Sequence, residues 1–120
     1  MVRGETITVS AIGCSYFPLT SIDVIKNFLI NTVKLLGMTP VDDTLTIRTF
    51  PTLDGRGDYG ISGFLILTES HISVHTWPQE KFIRVEFSSC KPQDESEKII
   101  ESCIEATFIP DSMKTMKLRW

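Results

Sequence analysis

The chain has 120 residues, 42% of them hydrophobic, with twelve Lys and Arg against fifteen Asp and Glu and a formal charge of -3. That length supports one domain, spanning 1-120, with a small core, and the slight acidity excludes the basic field that nucleic acid or an anionic membrane would require. Cys14, Cys90 and Cys103 are odd in number and widely spaced, which excludes a disulfide framework or a paired-cysteine metal knuckle and suits a reducing compartment. The N-terminal residues do not resemble a signal peptide, and no eighteen apolar residues run together, so a soluble cytoplasmic protein is expected.

Residues 6 to 12 alternate apolar and polar, with Ile7, Val9 and Ala11 on one face, which predicts a half-buried strand. Gly13 to Pro18 reads as a connection. Thr20 or Ser21 then caps a helix in which Ile22, Ile25, Leu29, Val33 and Leu36 recur at three and four residues until Gly37. Residues 44 to 50 alternate again and lead into a loop, 51 to 60, rich in glycine and aspartate. Strands follow at 61 to 68, 72 to 77 and 81 to 88, with connections short enough for antiparallel neighbours. Asp94 and Glu97 form a capping pair for a second helix, carried by Ile99, Ile100, Cys103, Ile104 and Thr107 to Phe108, and Met116 to Trp120 alternates as a last strand.

This order predicts an α+β two-layer sandwich, a mostly antiparallel sheet with two helices on one face. The strand at 61 to 68 is apolar on both faces, so a second copy is expected to cover the open side. The expected assembly is a homodimer with a four-layer α/β/β/α arrangement.

Polar groups crowd the stretch Thr68 to Pro78, directly after the apolar run Phe64 to Leu67. Such density beside a buried strand is costly unless the groups are partnered or used. On a strand, His71, Ser73, His75 and Trp77 share one face, and the two histidines stand roughly 13 Å apart, too far to share a metal. A structural imidazole and a core indole are the plain alternatives for His75 and Trp77.

Glu69-Ser70-His71 followed by His75-Thr76-Trp77-Pro78, with Ser62 eight residues before Ser70 and Cys90 twenty after it, resembles the prokaryotic, small type of the S-adenosylmethionine decarboxylase family. These are pyruvoyl enzymes. The resemblance implies self-cleavage between Glu69 and Ser70, giving a β chain of 1-69 and an α chain of 70-120 headed by a pyruvoyl group made from Ser70. That group forms a Schiff base with an amino-acid-type substrate and replaces pyridoxal phosphate; no metal is implied. By position, His75 is the processing base, Ser62 its hydrogen-bonding partner and Cys90 the proton donor to product, although a small buried hydrophobe is the alternative for Cys90.

The sequence also departs from that family. Its ribose-binding acid is Gln79 here, and its adenine-stacking aromatic, opposite Trp77, aligns with Leu53 in a longer loop. Processing residues are thus intact while nucleoside-binding residues are not. That favours a basic amino acid, L-arginine or L-ornithine, giving agmatine or putrescine, with Asp54, Asp58 or Glu86 available for the cationic tail. S-adenosylmethionine is the alternative substrate, and a non-catalytic α+β binding domain the remote one.

Overall fold

The computed structural model describes residues 3-51, 59-91 and 95-120. Six strands, β1 (Glu5–Ile12), β2 (Thr46–Pro51), β3 (Tyr59–Leu67), β4 (Ser70–Trp77), β5 (Phe82–Ser89) and β6 (Ser112–Arg119), form one sheet in the order β2-β3-β4-β5-β1-β6. Every neighbouring pair is antiparallel. Among the described residues three α-helices, α1 (Tyr16–Thr20), α2 (Ile22–Leu35) and α3 (Ser96–Phe108), complete the α+β fold.

Two helices were expected; the third is α1, which lies partly in the stretch read as a connection. Pro18 falls within its first turn, where the missing N–H breaks no helical bond, and the Thr20 hydroxyl donates to the Phe17 carbonyl. Ser21 caps α2 by accepting from the Val24 N–H at 3.2 Å. At the other end Gly37, with φ +69°, adopts the left-handed turn. Its N–H and that of Met38 then reach the carbonyls of Lys34 and Val33, a Schellman stop. Glu95 is the N-cap of α3, with no side-chain cap, and the expected capping residue Asp94 lies outside the described residues.

The alternation in the strands divides the sheet. Ile7, Val9, Leu65, Ile72, Val74, Ile83 and Val85 are buried together with Ile25, Leu29, Ile100, Ile104 and Phe108 of the helices. Phe28 and Phe108 meet edge to face at 5.2 Å and tie α2 to α3. The buried Thr76 hydroxyl accepts from the Ile61 N–H and donates to the Leu19 carbonyl, pinning α1 to the sheet where β3 and β4 meet.

On the opposite, open face stand Ser62, Phe64 and Ile66 of β3 and His71, His75 and Trp77 of β4. Phe64 is 38% exposed and Ile66 43%, and Met116 and Leu118 extend the apolar surface along β6. Among the described residues no helix is long and apolar enough to cross a membrane.

Candidate active site

Antiparallel pairing places Ser62 directly opposite His75 on the open face, and Ser62 Oγ lies 2.9 Å from His75 Nδ1. The next strand on one side sets Arg84 opposite His75, and on the other side Arg48 stands opposite Ser62. Burial lowers the His75 pKa, and the Arg84 guanidinium lowers it further against the opposing effect of Glu86. Both leading causes disfavour imidazolium, so His75 is kept as a neutral base. Glu86, one of the acids proposed for a cationic tail, lies 3.7 Å from Arg84.

A second cluster forms at the far end of β4. Leu67 pairs with Ser70, so Thr68 and Glu69 make a two-residue hairpin loop in which Glu69 has φ +59°. A non-glycine residue there carries strain of roughly 1–2 kcal/mol. The Glu69 carbonyl accepts the Cys90 N–H at 3.4 Å, and the Glu69 carboxylate lies 3.7 Å from Lys91 Nζ. Ser70 Oγ is buried without a hydrogen-bond partner among the described residues. A hydroxyl and the adjacent peptide carbonyl are thus held together, the carbonyl polarised by a backbone donor and the hydroxyl uncommitted.

The fold joins Ser62 to His75, and Glu69 and Ser70 to the Cys90 backbone, but it does not join the two clusters. His75 is five positions along β4 from Ser70, roughly 16 Å at about 3.3 Å per residue.

Around Trp77 the structure adds a residue that the sequence reading missed. Phe50 lies opposite Gly60 at the end of β2, and its ring centroid is 6.5 Å from that of Trp77 in an edge-on arrangement. Gly60 permits this, because a Cβ there would collide with the Phe50 ring. Phe82 flanks Trp77 on the other side at 5.3 Å. The open-face alternation Thr46, Arg48, Phe50 carried the signal, but the long loop hid its register. Leu53, Asp54 and Asp58 lie outside the described residues. Gln79 is exposed in a single 3-10 turn, Pro78–Glu80, directly after Trp77.

Cys14, by contrast, is inert. Its buried thiol points at the Ala11 carbonyl, and burial, aided by Asp111, pushes its pKa to about 11.

The S-adenosylmethionine decarboxylase family model matches residues 5–119. An S-adenosylmethionine decarboxylase proenzyme of Thermococcus gammatolerans is 32% identical over 102 residues, covering 85% of this chain and 66% of that protein. A proenzyme of the same description from Clostridium botulinum (strain Loch Maree / Type A3) is 29% identical over 97 residues, covering 81% of this chain and 77% of its own length. The crystal structure of the adenosylmethionine decarboxylase of Aquifex aeolicus superposes with a TM-score of 0.75 at 19% identity, over 98% of this chain and 89% of that one, a likeness of fold. With the family model matching almost the whole length of this chain, the chain belongs to the S-adenosylmethionine decarboxylase family, decarboxylases that work with a pyruvoyl group made from their own chain in place of a metal or pyridoxal phosphate.

Proposed function

We propose that this chain is a single-domain proenzyme that cuts itself between Glu69 and Ser70, into chains 1–69 and 70–120, and then decarboxylates an α-amino acid. The observation that carries this reading is the Glu69 carbonyl held on the Cys90 N–H beside the buried, unpartnered Ser70 hydroxyl. Ser70 Oγ attacks that carbonyl carbon, and the Cys90 N–H steadies the oxygen as it gains charge. The resulting ester loses the Ser70 α-proton to neutral His75, which Ser62 orients, the Glu69 carboxylate departs, and the dehydroalanine left at position 70 tautomerises to an imine that takes up water and releases ammonia to give the pyruvoyl group. The pyruvoyl group supplies a carbonyl that draws electrons from the substrate as carbon dioxide departs. Cys90 then returns a proton to the product carbon.

A single copy leaves His75 too far from Ser70. Pairing of two copies through their open faces supplies His75 and Ser62 of one chain to Ser70 and Cys90 of the other. The exposed Phe64, Ile66, Met116 and Leu118 support such a homodimer. Three cysteines free of disulfides support a cytoplasmic location.

S-adenosylmethionine is the substrate this site fits best, because Phe50 and Trp77 provide aromatic faces for an adenine. The cations Arg48 and Arg84, flanking the Ser62–His75 pair, oppose a guanidinium or ammonium tail. A basic amino acid, arginine or ornithine, is the second reading. It is favoured by Gln79, a neutral amide where a ribose diol calls for a carboxylate.

Intact mass of purified protein is expected to show two fragments split at Glu69–Ser70, and Ser70→Ala a single one. A full-length wild-type chain with no carbonyl reactive towards hydroxylamine would return the protein to a non-catalytic binding domain. Carbon dioxide release from S-adenosylmethionine, arginine and ornithine decides the substrate; turnover of arginine or ornithine alone would overturn the first reading.

A further inference from the structure

The helix-covered face of the sheet carries a polar row of which the chemistry above uses only Ser70. Ser70 on β4 is directly opposite Ser89 on β5, and Ser89 opposite Glu5 on β1. Ser89 is 1% exposed and Glu5 0%. Both Glu5 carboxylate oxygens, like Ser70 Oγ, are buried without a hydrogen-bond partner among the described residues. Lys117 Nζ at 3.5 Å and Arg119 Nε at 3.8 Å offset the Glu5 charge. Ser89 Oγ accepts the Lys91 N–H at 3.0 Å and faces the Lys91 carbonyl at 3.4 Å, a long contact for its own proton. A fully buried carboxylate with no hydrogen bond is costly and calls for a use.

His75 occupies the opposite face. A base there, supplied by the second copy of a dimer, approaches the α-carbon side of Ser70 and not its hydroxyl. Directly opposed side chains on one face have Cβ atoms roughly 5 Å apart, within reach for a hydroxyl-to-hydroxyl bond between Ser70 and Ser89.

We propose that Ser89, backed by Glu5, takes up the Ser70 hydroxyl proton in the first step of self-cleavage, so that the two proton transfers of maturation are handled on opposite faces of the sheet. This rests on the self-cleavage reading. As Ser70 Oγ bonds to the Glu69 carbonyl carbon, its proton passes to Ser89 Oγ, whose own proton passes to the Glu5 carboxylate. The Glu69–Ser70 carbon–nitrogen bond then breaks. The proton returns by the same row to the Ser70 nitrogen, leaving an ester and a free amine with no net proton change.

Cleavage is followed by intact mass in freshly made wild type, Ser89→Ala, Ser89→Thr, Glu5→Gln and His75→Ala, each checked by circular dichroism and treated with and without hydroxylamine, which cuts esters and spares amides. Ser89→Ala and Glu5→Gln are expected to cleave at least tenfold more slowly and to resist hydroxylamine, because no ester forms. Ser89→Thr keeps the hydroxyl and cleaves as wild type. His75→Ala stays whole but is cut by hydroxylamine at Glu69. A folded Ser89→Ala chain that cleaves at the wild-type rate, or that accumulates a hydroxylamine-sensitive ester, overturns the proposal, and it decides the matter alone if Glu5→Gln fails to fold. A wild-type chain that stays intact would sink the self-cleavage reading instead.

Discussion

The Cys90 backbone N–H donates to the Glu69 carbonyl oxygen at 3.4 Å, across the loop that joins β3 to β4. On the proposed reading one residue serves two purposes through different atoms, its main chain for the scissile carbonyl and its thiol for the product. Cys90→Ala keeps the N–H and removes the thiol. It is expected to split at Glu69–Ser70 at near the wild-type rate while decarboxylation falls by about 10²-fold or more, the usual scale for a lost general acid. Single-turnover assays on the cleaved variant check this, and normal decarboxylation would remove Cys90 from the proton-donor role.

Arg84 faces His75 across the β4–β5 ladder and lowers its pKa, while Glu86, paired with Arg84, acts in the opposite direction. Arg48 and Ser62 stand on the β3 side of the same row. Desolvation and Arg84 both hold His75 neutral, so it remains a base below the ordinary histidine range. In Arg84→Gln the cation is gone and Glu86 acts unopposed, so the His75 pKa rises. As the buffer is acidified, self-cleavage should then be lost at a higher pH than in wild type. A pH series of cleavage rates reads the shift, and an unmoved acidic limb would show that the guanidinium does not tune the base.

If Phe50 and Trp77 hold an adenine, Phe50→Ala should raise KM for S-adenosylmethionine by about tenfold or more, since base stacking on an aromatic contributes ~1–3 kcal/mol. Cleavage should be largely untouched, because a phenyl ring can neither give nor take the protons of the cleavage steps. Gln79→Glu should lower the same KM by supplying a charged acceptor for the ribose hydroxyls. An unchanged KM in Phe50→Ala would favour the basic amino acid reading.

Ile109 closes α3 with φ +49° and ψ 58°, and its N–H reaches the Glu105 carbonyl at 3.2 Å. A β-branched residue is poorly suited to that left-handed turn. Ile109→Gly should stabilise the fold by about 1 kcal/mol, visible as a rise of roughly 3–6 °C in Tm, with no effect on cleavage. An equal or lower Tm would mean that contacts of the Ile109 side chain outweigh its backbone strain.

Elements with a strong local period were legible. Ser21, the apolar positions of α2 and Gly37 marked one helix within a residue or two, and the alternation of β1, β4 and β5 fixed which side chains face the helices. The Ser62–His75 contact came from the family resemblance, with strand parity in agreement. What escaped were properties of pairing, which local periodicity does not encode. Phe50 was hidden behind a long loop, so Leu53 stood in its place. Glu5 fell outside the strand expected at residues 6 to 12, yet it opens β1 and is fully buried because β5 and β6 flank it on both sides. α1 was missed because a five-residue helix carrying a proline has too little length to show a period.

Glu69 spends its time in the intact chain in a backbone conformation that L-residues avoid. If the chain cuts itself behind Glu69 as proposed, Glu69 becomes a free C-terminus and relaxes, while Ser70 no longer exists as a serine. Maturation is then a ratchet. Re-sealing would need a residue that has been consumed and a turn that has unwound, so each molecule is armed once, and the supply of active enzyme follows synthesis of the chain and not a reversible equilibrium.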